Sequence, residues 1–487
     1  MRNEMKRHHV PTSIGCLCVA LVAALTGCAV GPAYQTPPVA TPAAYREVPG
    51  WERAVPAEVA LDQTWWTLFG DANLNDLMAQ LAISNQNVAA AAAAYAQARA
   101  TVAGQRAAQF PLVTVDGGAR RAGGGGGSGA NAVGSTGAST GNSSGNGGTT
   151  YQASIGASWE PDVWGRLGRG VDAANAAAQA SSADLAAALL SARGELALDY
   201  LSLRQSDAQR ALLQQTIAGY QRALEITQHR YDAGIAPRTD LLQAQTQLAN
   251  AQIDEVGLAR QRAQFEHAIA VLIGRPAADF TVAPVSAWQP VVPLIPAGVP
   301  STLLQRRPDI AAAERRVAVA NQQIGIAQAG FYPSLTLSAS DGVSARSVAD
   351  LFAASTSVWS LGLSAAQVLF DAGATRARVS AAQAAQDQAA ARYRQTVLGA
   401  FAAVEDQLAA LRVLAQQQVL RRVASTAADQ SEAQALNRYR AGQIGYAEVV
   451  SAQAAALAAR RALVQSAADQ QSSTVALIQA LGGGWTP

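Results

Sequence analysis

Arg230–Gln245 reads RYDAGIAPRTDLLQAQ, and Arg438–Gln453 reads RYRAGQIGYAEVVSAQ. The two stretches stand 208 positions apart and share one plan. A helical pattern ends at Arg-Tyr-x-Ala-Gly, and another begins at an acid followed by two aliphatic residues. A reversal between two long helices favours a glycine able to take positive φ, which Gly234 and Gly442 supply. The chain is therefore a duplicated helical hairpin, and such a repeat constrains architecture before any motif does.

Proline-free helical patterns run into both tips, over Gly165–Tyr231 and Asp371–Tyr439. Each is roughly 100 Å long at about 1.5 Å per residue. The first return path is Pro237–Ile273, a break rich in proline from Pro276 to Pro300, and then Thr302–Ala329. Ala72–Gln109 and Tyr446–Leu481 serve the other half, with Pro32–Gly70 as the matching break. Val397, Phe401, Val404, Leu408, Leu411 and Ala415 alternate steps of four and three, a heptad seam, with Ala, Gln, Ser and Arg on the other faces. A helical tube with a thin wall is expected, and alanine suits its close helix approach.

The N-terminus carries an address. Arg2, Lys6 and Arg7 precede the apolar run Ile14–Ala24, which is too short to span a bilayer, and Leu25-Thr26-Gly27-Cys28 follows. The tetrapeptide resembles a bacterial lipobox, in which the cysteine is diacylated and becomes the first mature residue. By analogy with the lipoproteins that this motif resembles, Ala29 in place of aspartate favours the outer membrane. Removing the leader removes three bases and one acid, leaving 33 of each, so nucleic acid is not an expected partner. Cys16, Cys18 and Lys6 leave with it, and the one remaining cysteine allows no disulfide and no cysteine metal site. No remaining stretch has the apolar length of a transmembrane helix. Any membrane crossing must be made by strands.

Four segments read as strands. Thr149–Trp159 alternates, Phe331–Ser340 does so through Leu335 and Leu337, Ser357–Ala365 does so through Val358 or Trp359, Leu361 and Leu363, and Phe110–Gly118 is placed partly by its match to Phe331-Tyr332-Pro333. Each has about the ten residues of a tilted membrane strand, with aromatics at the ends. Four strands leave two open edges, which cannot face lipid because their N–H and C=O groups would be unpaired. The barrel must be shared between at least two copies, and three would give twelve strands.

Leu303-Leu304-Gln305-Arg306-Arg307-Pro308-Asp309-Ile310, Ala313-Glu314, Ile324-Gly325, Phe331-Tyr332-Pro333, Trp65-Trp66-x-Leu68-Phe69-x-Asp71 with Leu74 and Asn85, and Pro161-Asp162-Val163-Trp164-Gly165-Arg166 resemble the signature of the outer-membrane factor family, of the TolC, OprM and NodT type. The resemblance covers nearly the whole mature chain. It implies a mainly α fold with a small β part: a long α-helical barrel, or coiled-coil tunnel, plus a transmembrane β-barrel shared by a homotrimer, four strands per chain and twelve in all. It also implies a lipid-anchored exit duct for efflux or secretion, gated at its periplasmic tips, that meets a periplasmic adaptor and an inner-membrane pump of the resistance-nodulation-division type. The implied division is a leader at 1–27, an anchor and equatorial segment at 28–71, a first repeat at 72–273 (strands 110–118 and 149–159, tip 231–240), a proline-rich connection at 274–301, and a second repeat at 302–487 (strands 331–340 and 357–368, tip 439–448).

On that basis Cys28 carries the lipid, and Gly234, Ile235, Gly442 and Gln443 meet the adaptor. Asp240, Tyr439, Glu448 and Ser451 form the constriction. A ring of Glu448 at the axis would favour cations, although an acid in a first helical turn also suits the helix dipole wherever it lies. Relatives often have aspartate where Ser451 stands, so one tier of carboxylates is missing. Ile444 replaces an arginine that latches the tip in some relatives, which leaves the latch to Tyr439 reaching Asp240.

Other features carry less. Gly123–Gly148 lacks the Lys-Ser/Thr ending of a phosphate loop and joins two strands, so it is expected to be a loop. His229 and His267 have no ligand spacing. Neither a cofactor nor a metal is expected beyond the lipid on Cys28, and no order of Ser, His and acid suggests an enzyme. The alternative is a coiled-coil envelope lipoprotein acting as a spacer or adhesin without conduction.

Overall fold

The computed structural model describes residues 30–42, 44–47, 64–122, 148–285, 287–295 and 306–484. Cys28, the leader and the glycine-rich stretch 123–147 lie outside them. In chain order the elements are α1 (Ala72–Ser84), α2 (Gln86–Ala107), β1 (Leu112–Ala122), β2 (Gly148–Trp159), α3 (Arg166–Asp232), α4 (Arg238–Leu272), α5 (Pro308–Ala329), β3 (Ser334–Ala345), β4 (Ser357–Ala366), α6 (Ala374–Arg440) and α7 (Tyr446–Ala480), with 3-10 turns at Trp65–Phe69, Ala277–Asp279 and Ala354–Thr356.

The duplication extends well beyond the tips. α3 and α6 both have 67 residues, α4 and α7 both have 35, and α2 and α5 both have 22. Arg166 and Ala374, Asp232 and Arg440, Arg238 and Tyr446, and Leu272 and Ala480 are boundaries set 208 positions apart. Gln86 and Pro308, Ala107 and Ala329, and Leu112 and Ser334 are 222 apart. The offset changes across one connection, because residues 123–147 join β1 to β2 whereas only 346–356 join β3 to β4, a difference of 14.

The chain divides into two compact units. Among the described residues, one holds 30–35, 99–122, 148–176 and 318–387 and contains the sheet, which is antiparallel throughout in the order β1-β2-β3-β4. Register puts Thr114, Asp116, Gly118 and Arg120 on the same face as Gln152, Ser154, Gly156 and Ser158, then Thr336, Ser338 and Ser340, then Ser360, Gly362 and Ser364. The hydroxyls of Ser340 and Ser360 are 2.9 Å apart across the ladder. The opposite face holds Val113, Val115, Ile155, Ala157, Leu335, Leu337, Ala339, Leu361 and Leu363. One polar and one apolar face is the pattern of a lipid-facing barrel wall.

The strands are displaced from their expected spans. Pro111 and Pro333 have no N–H to give a ladder, so β1 starts at Leu112 and β3 at Ser334, and Phe331 and Tyr332 form a turn before β3. Both strands then run on past the expected ends, to Ala122 and Ala345, while β4 stops at Ala366. Beside the sheet, Asp162 accepts the N–H groups of Leu167 and Gly168 at 3.0 and 2.6 Å and caps α3. Trp164 donates to the Pro333 carbonyl at 2.7 Å and stacks on Tyr332 at 4.8 Å.

The other unit holds 36–98, 177–317 and 388–484 among the described residues. Here the expected single helix Ala72–Gln109 is broken at Asn85. That side chain caps α2 by accepting from Val88 N–H at 3.0 Å and donates its amide to the Leu272 carbonyl at 2.7 Å. Arg307, 222 positions later, donates to the Ala480 carbonyl at 3.0 Å while both oxygens of Asp309 hold its guanidinium. The Arg-Arg-Pro-Asp motif thus closes the second half as Asn85 closes the first. Residues 302–305 of the helix expected from Thr302 lie outside the described residues; Arg306 is helical, and after a break at Arg307 α5 begins at Pro308, a residue suited to a first helical turn.

In the same unit, buried Arg204 and Asp207 on α3 and Arg262 and Glu266 on α4 bind the backbone of Val282, Ala283 and Val285, pinning the proline-rich connection to the hairpin. Removing one member would leave a buried charge unpaired. Glu405 accepts the N–H groups of Arg46 and Glu47 at 2.7 and 3.1 Å. Asp199 is pushed up to about 6, by burial first and then by Glu195 one turn away.

The heptad seam on α6 is buried at Val397, Phe401 and Val404 and opens towards Ala415, which is exposed. The remaining faces are less polar than the sequence implied. Leu398, Val413, Leu420 and Val423 form an exposed aliphatic stripe on α6, and Leu242, Ile253 and Val256 form one on α4. No helix among the described residues is long and apolar enough to cross a membrane.

Candidate functional site: the paired hairpin tips

Both tips end in the same hydrogen-bonded cap. Gly234 N–H donates to the Tyr231 carbonyl at 2.8 Å, and Gly442 N–H to that of Tyr439 at 2.9 Å; Ile235 and Gln443 then reach back to Arg230 and Arg438. Gly234 and Gly442 take φ of 70° and 73°, as a left-handed C-cap requires. Asp240 and Glu448 lie in the first turns of α4 and α7.

On this shared backbone the side chains diverge. Tyr439 is 2% exposed and its counterpart Tyr231 is 38% exposed. Tyr439 meets Tyr446 edge to face at 5.2 Å, within a core of Ala223, Ala244 and Val449 flanked by Leu224, Ile226, Leu436, Ile444 and Val450. The core joins all four helices of the two hairpins. Burial, followed by the nearby Tyr439, Tyr220 and Asp240, pushes the Tyr446 phenol up to about 12, so it stays neutral at physiological pH.

Arg230 locks the arrangement. From the last turn of α3 it donates to the Tyr439 carbonyl at 2.7 Å and the Arg440 carbonyl at 3.3 Å, and its guanidinium lies 4.6 Å from the centre of the Tyr439 ring. A cation at unsatisfied C-terminal carbonyls is favoured by the helix dipole, and stacking on the ring adds to it. The latch expected from Tyr439 to Asp240 is not made, because the Tyr439 hydroxyl is buried without a hydrogen-bond partner. Tyr439 serves instead as the ring under Arg230. Its position inside the core leaves the hydroxyl no acceptor.

Glu448 and Ser451 are exposed, Asp240 is half-buried, and Gly234, Gly442 and Gln443 are exposed. Ile235 is 67% exposed. A groove of about 250 Å³ lies beside the first tip, lined by Leu242, Gln243, Thr246, Gln247 and Val450. The sequence reading missed Arg230, although the repeated Arg-Tyr pair contained it. Only the packing of Tyr439 distinguishes Arg230 from its exposed counterpart Arg438. Among the described residues no cluster of His, Cys, Asp and Glu could hold a metal.

Known proteins share this framework. A family model described as "Outer membrane efflux protein" matches residues 77–275 and 299–483. The toluene efflux pump outer membrane protein TtgC of Pseudomonas putida is 29% identical over 464 residues, 95% of this chain and 93% of its own. The pyoverdine export outer membrane protein OpmQ, also of Pseudomonas putida, is 32% identical over 444 residues, covering 90% and 92%. Among solved structures, the outer-membrane channel OprN superimposes with a TM-score of 0.84 at 29% identity, covering 94% of this chain and all of that one. Sheet and hairpins together define an outer-membrane channel fold. The chain belongs to the outer membrane efflux protein family, whose members are channels and not enzymes.

Proposed function

We propose that three copies of this chain form a passive duct, anchored by lipid on Cys28, that receives solutes from a periplasmic adaptor and an inner-membrane pump and releases them outside. The observation that carries the proposal is the sheet: it has two faces of opposite polarity, and its edges β1 and β4 have no strand partner among the described residues. Unpaired edges are untenable in lipid, so β1 must pair with β4 of another copy. The stripes on α6 and α4 give the copies apolar surface to bury against one another.

The tips are the gate in this reading. Arg230 ties the first hairpin to the end of the second, and the duct widens when that tie is released. The adaptor meets Gly234, Ile235, Gly442 and Gln443, with the groove beside Leu242 as a second contact. Asp240 and Glu448 set the charge of the constriction, and no catalytic step is assigned to any residue. TtgC is named for toluene and OpmQ for pyoverdine, so one framework serves different cargoes and the choice of cargo belongs to the pump.

Planar-bilayer recording of the purified protein, paired with mass measurement of the detergent-solubilised oligomer, tests the proposal. Trimers giving small, cation-selective steps are expected. Folded oligomers that never conduct would sink the duct and favour the spacer reading.

A further inference from the structure

The first described residues sit in a socket that uses side chains from three elements. Val30 N–H donates to the Trp164 carbonyl at 3.1 Å. Gly31 follows with φ of 121°, and a side chain there would collide with Gly325 Cα and the Arg169 guanidinium. The Pro32 carbonyl accepts from Arg169 Nη1 at 3.3 Å and from the amide of buried Asn321 at 3.2 Å. Arg169 also donates to Gln322 at 2.8 Å, and Gln386 donates to Asn321 at 3.3 Å. Any side chain at Gly325 would strike Arg169, so the arginine lies flat on α5 with the strand of chain above it.

This construction occurs once in a duplicated molecule. At the offsets of 208 and 222, the positions equivalent to Arg169, Gly325 and Asn321 are Ala377, Ala103 and Arg99. The half that has no chain start to hold lacks the residues that hold it. The socket also lies beside Trp164, which binds Pro333 at the start of β3.

We infer that Arg169, Asn321 and Gly325 are positioning residues that dock the start of the mature chain at the foot of the sheet, so that the lipid enters the leaflet beside the strands and not on a free tether. The inference rests on the reading of Cys28 as acylated. Cys28 stands two positions before Val30 in the sequence.

A nitroxide on Ala33→Cys, which is exposed, in the full-length protein reconstituted into vesicles reads the docking directly. An immobilised spectrum is expected in the parent, and a dominant mobile component is expected with Arg169→Ala or Gly325→Val while trimers and conductance persist. Asn321→Ala, which only deletes hydrogen bonds, carries the test if Gly325→Val does not assemble. Spectra that stay immobilised in Arg169→Ala and Asn321→Ala would overturn the socket. The same reagent applied to protein without the engineered cysteine separates the two ideas: no uptake means Cys28 is blocked as an anchor requires, whereas uptake removes the lipid reading and leaves the spectra to judge the docking.

Discussion

Asn85 and Arg307 stand 222 positions apart and make the same bond, each donating to a backbone carbonyl at the end of a 35-residue helix, at Leu272 and Ala480. An amide and a guanidinium have taken the same post. Each satisfies a carbonyl that a helix terminus otherwise leaves bare.

Asn85→Ala and Arg307→Ala should therefore each destabilise the folded protein by about 1–3 kcal/mol, the usual effect of orphaning a buried acceptor. Thermal midpoints in detergent check this. Arg307→Ala should be the more damaging, because it also strips Asp309 of its partner. Equal midpoints for wild type and both variants would remove the joints from the account of stability.

Arg230→Gln should loosen the tips without unfolding the protein, and the measurement is single-channel conductance, which should rise. Tyr439→Phe should leave conductance unchanged and stability equal or slightly raised, because the hydroxyl it deletes has no hydrogen-bond partner. A rise in Tyr439→Phe with none in Arg230→Gln would reverse the assignment of the latch.

Two glycine-to-alanine changes should act in opposite directions. Gly482 takes φ of 91° against the Arg306 carbonyl, so Gly482→Ala should cost about 1–3 kcal/mol in strain. Gly257 lies within α4 with open space where a side chain would stand, and Gly257→Ala should stabilise by about 0.5–1 kcal/mol. Melting of the two variants side by side is the check.

Asp199 gives a pH dependence with a definite sign. The folded protein holds its proton up to about 6, against an ordinary value of 3.8. Between these values the folded state binds more protons, so stability falls as pH rises through the window and the penalty is complete above it. Asp199→Asn should raise the thermal midpoint at pH 8 and match wild type at pH 4. An equal shift at both would indicate a packing effect instead.

Much of the fold was legible in the sequence because long helices and repeated tips depend on local pattern. The 208-residue offset was visible at Gly234 and Gly442, where backbone geometry demands glycine. Strand alternation at Thr149–Trp159 was equally clear. The 222-residue offset showed only where Phe110-Pro111 matches Tyr332-Pro333, and not at the joints, because Asn85 and Arg307 share a role and no chemistry. The latch was misassigned because sequence places Tyr439 near the tip but does not say that its ring faces inward. Arg230 carries the contact through backbone carbonyls, which exist at every position and leave no trace in residue identity.

The divergence of Tyr231 from Tyr439 has a consequence for assembly. Three copies would present six tips around one axis, matched in backbone and alternating in chemistry, with Tyr231 and Ile235 at every other station and Gln443 between them. A partner ring that treated all six alike would have to recognise the shape of the glycine caps. One that counted in threes would have to read the exposed tyrosine and isoleucine, and exchanging Ile235 with Gln443 would move it round by one station.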